Sequence, residues 1–506
     1  MAFPLIVLSA FISFSQSLSA ATVSYSGEEI QYTYQAIFRT VTRGDAQKMD
    51  QESLALWSHE HAEHLYGLFH SPDYTTQFGL PKVLNEGYVG TQHPVVQNAR
   101  AFNVKGDPYI WVQYNGAGQA LVNRHVLRAW LGNHNEGTVE LPLLSDFPSI
   151  YTDDKESFRY AKWKNCTDSY YFSAYDFSYF YNPFFCRELG QAPIARNTKF
   201  FIRKVNSTSQ EAAPVPLAEL RGDNGNGRLV TLYFVHGFDE TPESSPNGKS
   251  TSQITKDAGW SLYKGLEAQL LARNFKKMNS LDELRDFLGE DFSQLSLVRE
   301  VSLEHHTQRR YFSTYVHRDS TGRVWVVRSG LFPTESLYSY VNFATFWKEA
   351  WENGDFIYYG GHSGEGETLS FKNILSDLKG SQIQHLYKNI RLNHQKMQIA
   401  FFDACSSYAH YQQMYAHLKP KNLHIITYGL VSMFHLALAT EVSMVDLLMK
   451  APVNIRWVTA LGKLEQAQLA PQVAFLYDNP STRSRMYNQY MSRHQYPSYL
   501  LNVWLP

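Results

Sequence analysis

The sequence predicts an α/β protein: a mostly parallel, helix-flanked sheet in the carboxyl-terminal half, preceded by a mixed, β-leaning amino-terminal domain. Two observations carry this. From residue 229 onward, apolar runs of strand length alternate with longer helical patterns, and strands separated by helices pair in parallel through right-handed crossovers. Before about residue 215 the pattern is turn-bounded and strand-rich instead. A chain of 506 residues also exceeds one ordinary core, so several domains are expected.

The first segment reads as a signal peptide over 1–21. Residues 3–14 are apolar except for Ser9 and Ser13, and Ser19-Ala20-Ala21 is a small-residue cleavage site. That run falls short of the ~20 apolar residues that span a bilayer, so the mature protein is expected to be exported, periplasmic or secreted, without stable membrane insertion. A mixed domain over 22–215 follows. In it, residues 53–69 form a helix with Leu54, Trp57, His61, Leu65 and Leu68 on one face. Residues 109–130 read as a hairpin turning at Asn115-Gly116-Ala117-Gly118, and 138–144 as a further strand. The boundary falls in 211–216 or in the Gly- and Asn-rich stretch 222–227.

The second domain, with a carboxyl-terminal extension, covers 228–506. Residues 229–235 form a fully apolar strand, and 260–278 a helix with Leu262, Leu266 and Leu270 at four-residue spacing. A hairpin joins 312–316 to 323–328, and an aromatic-faced helix covers 337–351. The strand 356–359 leads into Gly360-Gly361-His362-Ser363-Gly364. A helix over 381–392 is followed by a strand ending in Asp403-Ala404-Cys405, a strand over 424–428 and a helix over 432–450.

A net charge of −1 gives no reason to expect nucleic acid or an anionic membrane as partner. Aromatics at 15% indicate packed cores rather than disorder. The chain has three cysteines. In an oxidising compartment Cys166 and Cys186, close in sequence, are expected to pair as a disulfide, which leaves Cys405 unpaired.

The surroundings of Cys405 point to chemistry. It and His362 each follow an apolar strand, with about 40 residues between them, enough for one βαβ unit. Sites in open parallel sheets form at the carboxyl ends of strands. There an imidazole can take a thiol proton and return it to a leaving amine. The amides of Ser363 or Gly364, and of Cys405 itself, are candidate oxyanion donors. Asp403 is in phase with Cys405 along its strand and can floor a pocket for a cationic side chain, with His236, at the end of the first strand, along the same edge.

A strand ending in His and a small residue, then a strand ending in Asp-Ala-Cys, resembles the caspase, metacaspase, clostripain, gingipain and legumain group of cysteine peptidases. The resemblance covers about residues 228–450. It implies a caspase-like sheet, His362 as general base and acid, Cys405 as nucleophile, and Asp403 in an S1 pocket for Arg or Lys. A peptide or protein is then the substrate, and no metal or organic cofactor is implied. One position departs: the group has Gly after the His, where this chain has Ser363.

Two other readings use the same residues. Val235-His236-Gly237-Phe238 and Gly361-His362-Ser363 resemble the oxyanion segment and nucleophile elbow of α/β-hydrolases, with Ser363 as nucleophile of an esterase; Glu365 stands where that elbow needs Gly. The alternative is a non-catalytic scaffold with a buried thiol. Elsewhere the plainer reading holds. His59-Glu60-His61-Ala62-Glu63-His64 matches no zinc-helix spacing and reads as exposed helix polarity, Arg221-Gly222-Asp223 as a turn, and His305-His306 as solvated. Asn165-Cys166-Thr167 and Asn206-Ser207-Thr208 fit glycosylation sequons.

Overall fold

A computed structural model describes residues 21–41, 78–81, 95–104, 107–144, 146–147, 195–205, 213–223, 229–238, 256–294, 312–333, 341–363, 369, 392–404, 407–429, 432, 434–468 and 501–506, with scattered helical residues between 51 and 62. Among the described residues sixteen strands form two sheets, a large mixed one and a smaller, mainly antiparallel one, with helices around them.

The smaller sheet contains β2 (Gly27–Val41), β3 (Phe78–Pro81), β4 (Val95–Val104), β5 (Asp107–Asn123), β6 (Glu136–Leu144), β7 (Asp146–Phe147) and β8 (Ala195–Lys204). The expected hairpin over 109–130 is not formed. Residues 107–123 are one continuous strand, and 124–131 a helix. Asn115-Gly116-Ala117-Gly118 does not turn because its glycines serve packing. In the antiparallel register Gly116 faces Tyr34 and Gly118 faces Tyr32. A Cβ on Gly116 would lie 2.3 Å from the Tyr34 ring, and one on Gly118 2.4 Å from the Tyr32 hydroxyl. The two tyrosines lie over bare backbone, where a side chain on the facing strand would displace them. Tyr34 also stacks on Phe200, with centroids 4.6 Å apart.

The described residues of the 53–69 segment are helical, but the expectation of exposed polarity fails at His61. That ring is buried, stacked 4.4 Å from Phe38, with Nδ1 2.7 Å from the Tyr114 hydroxyl. Its place on the Leu54 face decides this: the face packs on the sheet, and the phenol satisfies the ring.

The large sheet contains β1 (Ala21–Ser24), β9 (Leu229–Phe238), β10 (Lys276–Met278), β11 (Phe312–Arg318), β12 (Val324–Pro333), β13 (Phe356–Gly360), β14 (Gln398–Asp403), β15 (Leu423–Tyr428) and β16 (Leu501–Leu505). Its order is β1-β16-β15-β14-β13-β9-β12-β11-β10. The five strands from β15 to β12 are parallel, and the outer strands on both sides are antiparallel. The hairpin of β11 and β12 forms as expected. The helix expected over 260–278 stops at Ala272: Asn274 takes a left-handed φ of 63°, and the chain turns into the edge strand β10.

Both faces of this sheet are covered. The Ala258–Ala272, Phe434–Lys450 and Trp457–Ala467 helices pack on Phe234, Phe356, Tyr358, Phe401 and Ile426. The Val341–Asn353 and Gln412–Leu418 helices pack on Tyr233, Val235, Ile357, Tyr359 and Phe402. Strands covered on both faces need continuous apolar runs, which is why β9, β13, β14 and β15 are legible in sequence.

The smaller sheet's last strand ends at Lys204 and β9 begins at Leu229, but the first strand does not join the domain expected to begin at residue 22. β1 belongs to the large sheet, where Val23 faces Val503 on β16, so the chain enters the large sheet before it builds the small one. Arg124 fastens the crossing by donating to the carbonyls of Ser24 and Gly27. Among the described residues no helix is long and apolar enough to cross a membrane.

Candidate functional site

The parallel strands end at one edge, and their order sets a switch point there. From β9 the chain runs to β12 on one side and then returns to β13 on the other, so the crevice lies between β9 and β13. In register, Gly360 faces His236 on β9 and Asp403 on β14. Three of the sequence-selected positions thus lie in or beside one row across three strands.

His362 leaves this row two residues past Gly360 and is exposed. The turn that carries it is anchored from three sides. Gly361 N–H donates to the Asp403 carbonyl at 3.2 Å, the Tyr359 hydroxyl to the His362 carbonyl at 2.6 Å, and the Tyr411 hydroxyl to the Ser363 carbonyl at 2.9 Å. Ser363 is buried. Cys405 and Gly364 lie outside the described residues, as do Cys166, Cys186, residues 381–391 of the expected helix, His305-His306 and both sequons. On the far side of Cys405, the Ser407 hydroxyl donates to the Phe402 carbonyl at 2.7 Å and accepts from Tyr428 N–H at 2.8 Å, joining the ends of β14 and β15.

Asp403 is buried, with both carboxyl oxygens engaged. The Tyr358 hydroxyl donates to Oδ2 at 2.8 Å, and the Ser432 hydroxyl donates to Oδ1. Gly360 makes this possible, since a Cβ there would lie 2.8 Å from the Tyr358 ring. Burial pushes the Asp403 carboxyl up to about 7; the two hydroxyl donors oppose this, the Glu441 carboxylate adds to it, and His236 opposes it.

His236 is fully enclosed. Its Nε2 lies 3.1 Å from Glu441 Oε1 and its Nδ1 3.5 Å from the Ser329 hydroxyl. Tyr263 meets it edge-on. Its side chain is thus turned under the sheet edge toward the Phe434–Lys450 helix. Glu441 was not singled out in the sequence, although a signal was there: it is an acid on the face that buries Ala437, Met444, Val445 and Leu448.

No protein-family model matches the chain, and no curated protein matches it either.

Proposed function

We propose that the protein is an exported cysteine peptidase with a caspase-like fold, acting through His362 and Cys405 and favouring Arg or Lys at P1. One observation carries the reading: Gly360 and Asp403 face each other on adjacent parallel strands, and His362 and Cys405 each follow by two residues. The five parallel strands with helices on both faces support the same fold.

In this reading the His362 imidazole accepts the Cys405 thiol proton, and the thiolate attacks the scissile carbonyl. The resulting oxyanion is held by the amides of Ser363 or Gly364 and of Cys405. Collapse of the intermediate breaks the C–N bond, and His362 passes its proton to the leaving amine. Water, activated by the same imidazole, then hydrolyses the thioester and restores the thiol. Asp403, with His236 beside it, supplies the preference for a basic side chain.

The test is hydrolysis of peptide reporters ending in Arg, Lys, Asp or Asn, and of a short acyl ester, by the wild type, Cys405→Ala and Ser363→Ala. Loss of peptidase activity in Cys405→Ala alone is expected. Ester hydrolysis that survives Cys405→Ala and vanishes in Ser363→Ala would overturn the reading.

A further inference from the structure

We propose that Glu441, fixed by His236 beneath the sheet edge, is a second acidic determinant of a site that takes a guanidinium or alkylammonium group. The proposal rests on the peptidase reading only for what presents that group, namely the P1 side chain.

The geometry starts at Gly360. It lies between His236 and Asp403 in one register row, so the middle position of the row has no side chain. Into that gap rises the Tyr358 ring, holding Asp403 from below. The Phe434–Lys450 helix crosses the same face and brings Glu441 to His236. Two carboxyls therefore share one corner of the sheet, with a single imidazole against them.

The hydrogen bonding of this corner is incomplete. Asp403 receives two hydroxyl donors and Glu441 Oε1 has the imidazole, yet Glu441 Oε2, fully buried, has no hydrogen-bond partner among the described residues. A buried oxygen left without a donor is destabilising, and carboxylates seldom stand in such places without a charge to meet. A guanidinium or ammonium brings both missing elements, N–H donors and positive charge. At the rim of this corner Ser432 is only partly buried, and His362, on the same edge, is exposed.

The groups facing Asp403 come from every neighbouring element: Tyr358 on β13, His236 on β9, Tyr428 on β15, and Glu441 and Ser432 at and before the overlying helix. Of these only His236 can add positive charge. A bound cation would draw Asp403 into its charged form and release its proton.

The test uses the full-length chain carrying Cys405→Ala, with n-butylguanidinium as the probe, titrated calorimetrically near pH 6.5 in two buffers of different ionisation enthalpy. Binding is expected, with proton release to the buffer. Glu441→Gln is expected to weaken it by about tenfold or more. Glu441→Asp, which keeps the charge but draws it back by one methylene, guards against a folding defect and is expected to fall between the two. No binding, or equal binding by the wild-type corner and both variants, overturns the inference. Peptide assays separate it from the peptidase reading. Probe binding without peptide cleavage sinks the peptidase and leaves the cation site. Cleavage whose preference for Arg over neutral P1 survives Glu441→Gln sinks the second determinant and leaves the peptidase.

Discussion

Tyr408, three residues after Cys405 in sequence, donates its hydroxyl to Glu29 on β2 at 2.6 Å, and both residues are buried. The smaller sheet is thereby fastened to the segment that follows β14. Leu121 packs on the same ring, Gln412 donates to Thr22 on β1, and Ser26 to Glu465. Tyr408→Phe removes a donor from a buried carboxylate and is expected to cost about 1–3 kcal/mol. Chemical denaturation followed by fluorescence checks this, and an unchanged midpoint refutes it. The two sheets are expected to lose structure in one transition, not two.

Gly116 is expected to be intolerant of the smallest addition. Gly116→Ala places a Cβ in the Tyr34 ring and should destabilise by about 1–3 kcal/mol. Pairing it with Tyr34→Ala removes the clash, so the double variant should cost less than the two single costs combined. Strict additivity in thermal denaturation would show that the ring does not depend on the glycine.

The pair of Arg328 and Glu349 lies inside the large sheet's core, with the Tyr233 hydroxyl also donating to Glu349 at 2.7 Å. Removing one charge strands the other, so Glu349→Ala should cost about 3–5 kcal/mol. Arg328→Met with Glu349→Leu replaces both by apolar groups and should recover most of that loss. A double variant as unstable as Glu349→Ala would argue against the stranded charge as the cause.

Stability should depend on pH through Asp403. Its folded carboxyl titrates at about 7, above the ordinary aspartate value of 3.8. The folded chain therefore holds this proton more tightly than the unfolded chain does. The stability it confers is complete below the unfolded value and is lost as pH rises through the folded one. Buried Glu465, also raised to about 7, acts in the same direction. Asp403→Asn removes its own contribution, so its stability relative to wild type should increase between about pH 5 and pH 8. Parallel stability curves would contradict the shift.

The strands β9, β13, β14 and β15, the β11–β12 hairpin and the placing of His362 and Asp403 at strand ends were legible in sequence. Each is a local pattern: an unbroken apolar run, a turn signal, a motif just past a strand end. Glu441 was legible in principle, as an acid on an apolar helix face, but nothing local tells which imidazole it meets. His61 misled for the same reason, because its partner Tyr114 lies in another element.

The sequence by itself determined the alternation of strands and helices, and with it a set of parallel strands whose carboxyl ends bring His236, Gly360 and Asp403 to one edge. Tertiary structure decided what depends on neighbours distant in the chain. It made Asn115-Gly116-Ala117-Gly118 a seat for two tyrosine rings instead of a turn, and it sent β1 into the large sheet. It also set Gly360 between His236 and Asp403, with Glu441 beneath. The physical reason is that periodicity records which face of an element is buried, whereas pairing and charge neutralisation depend on what that face meets.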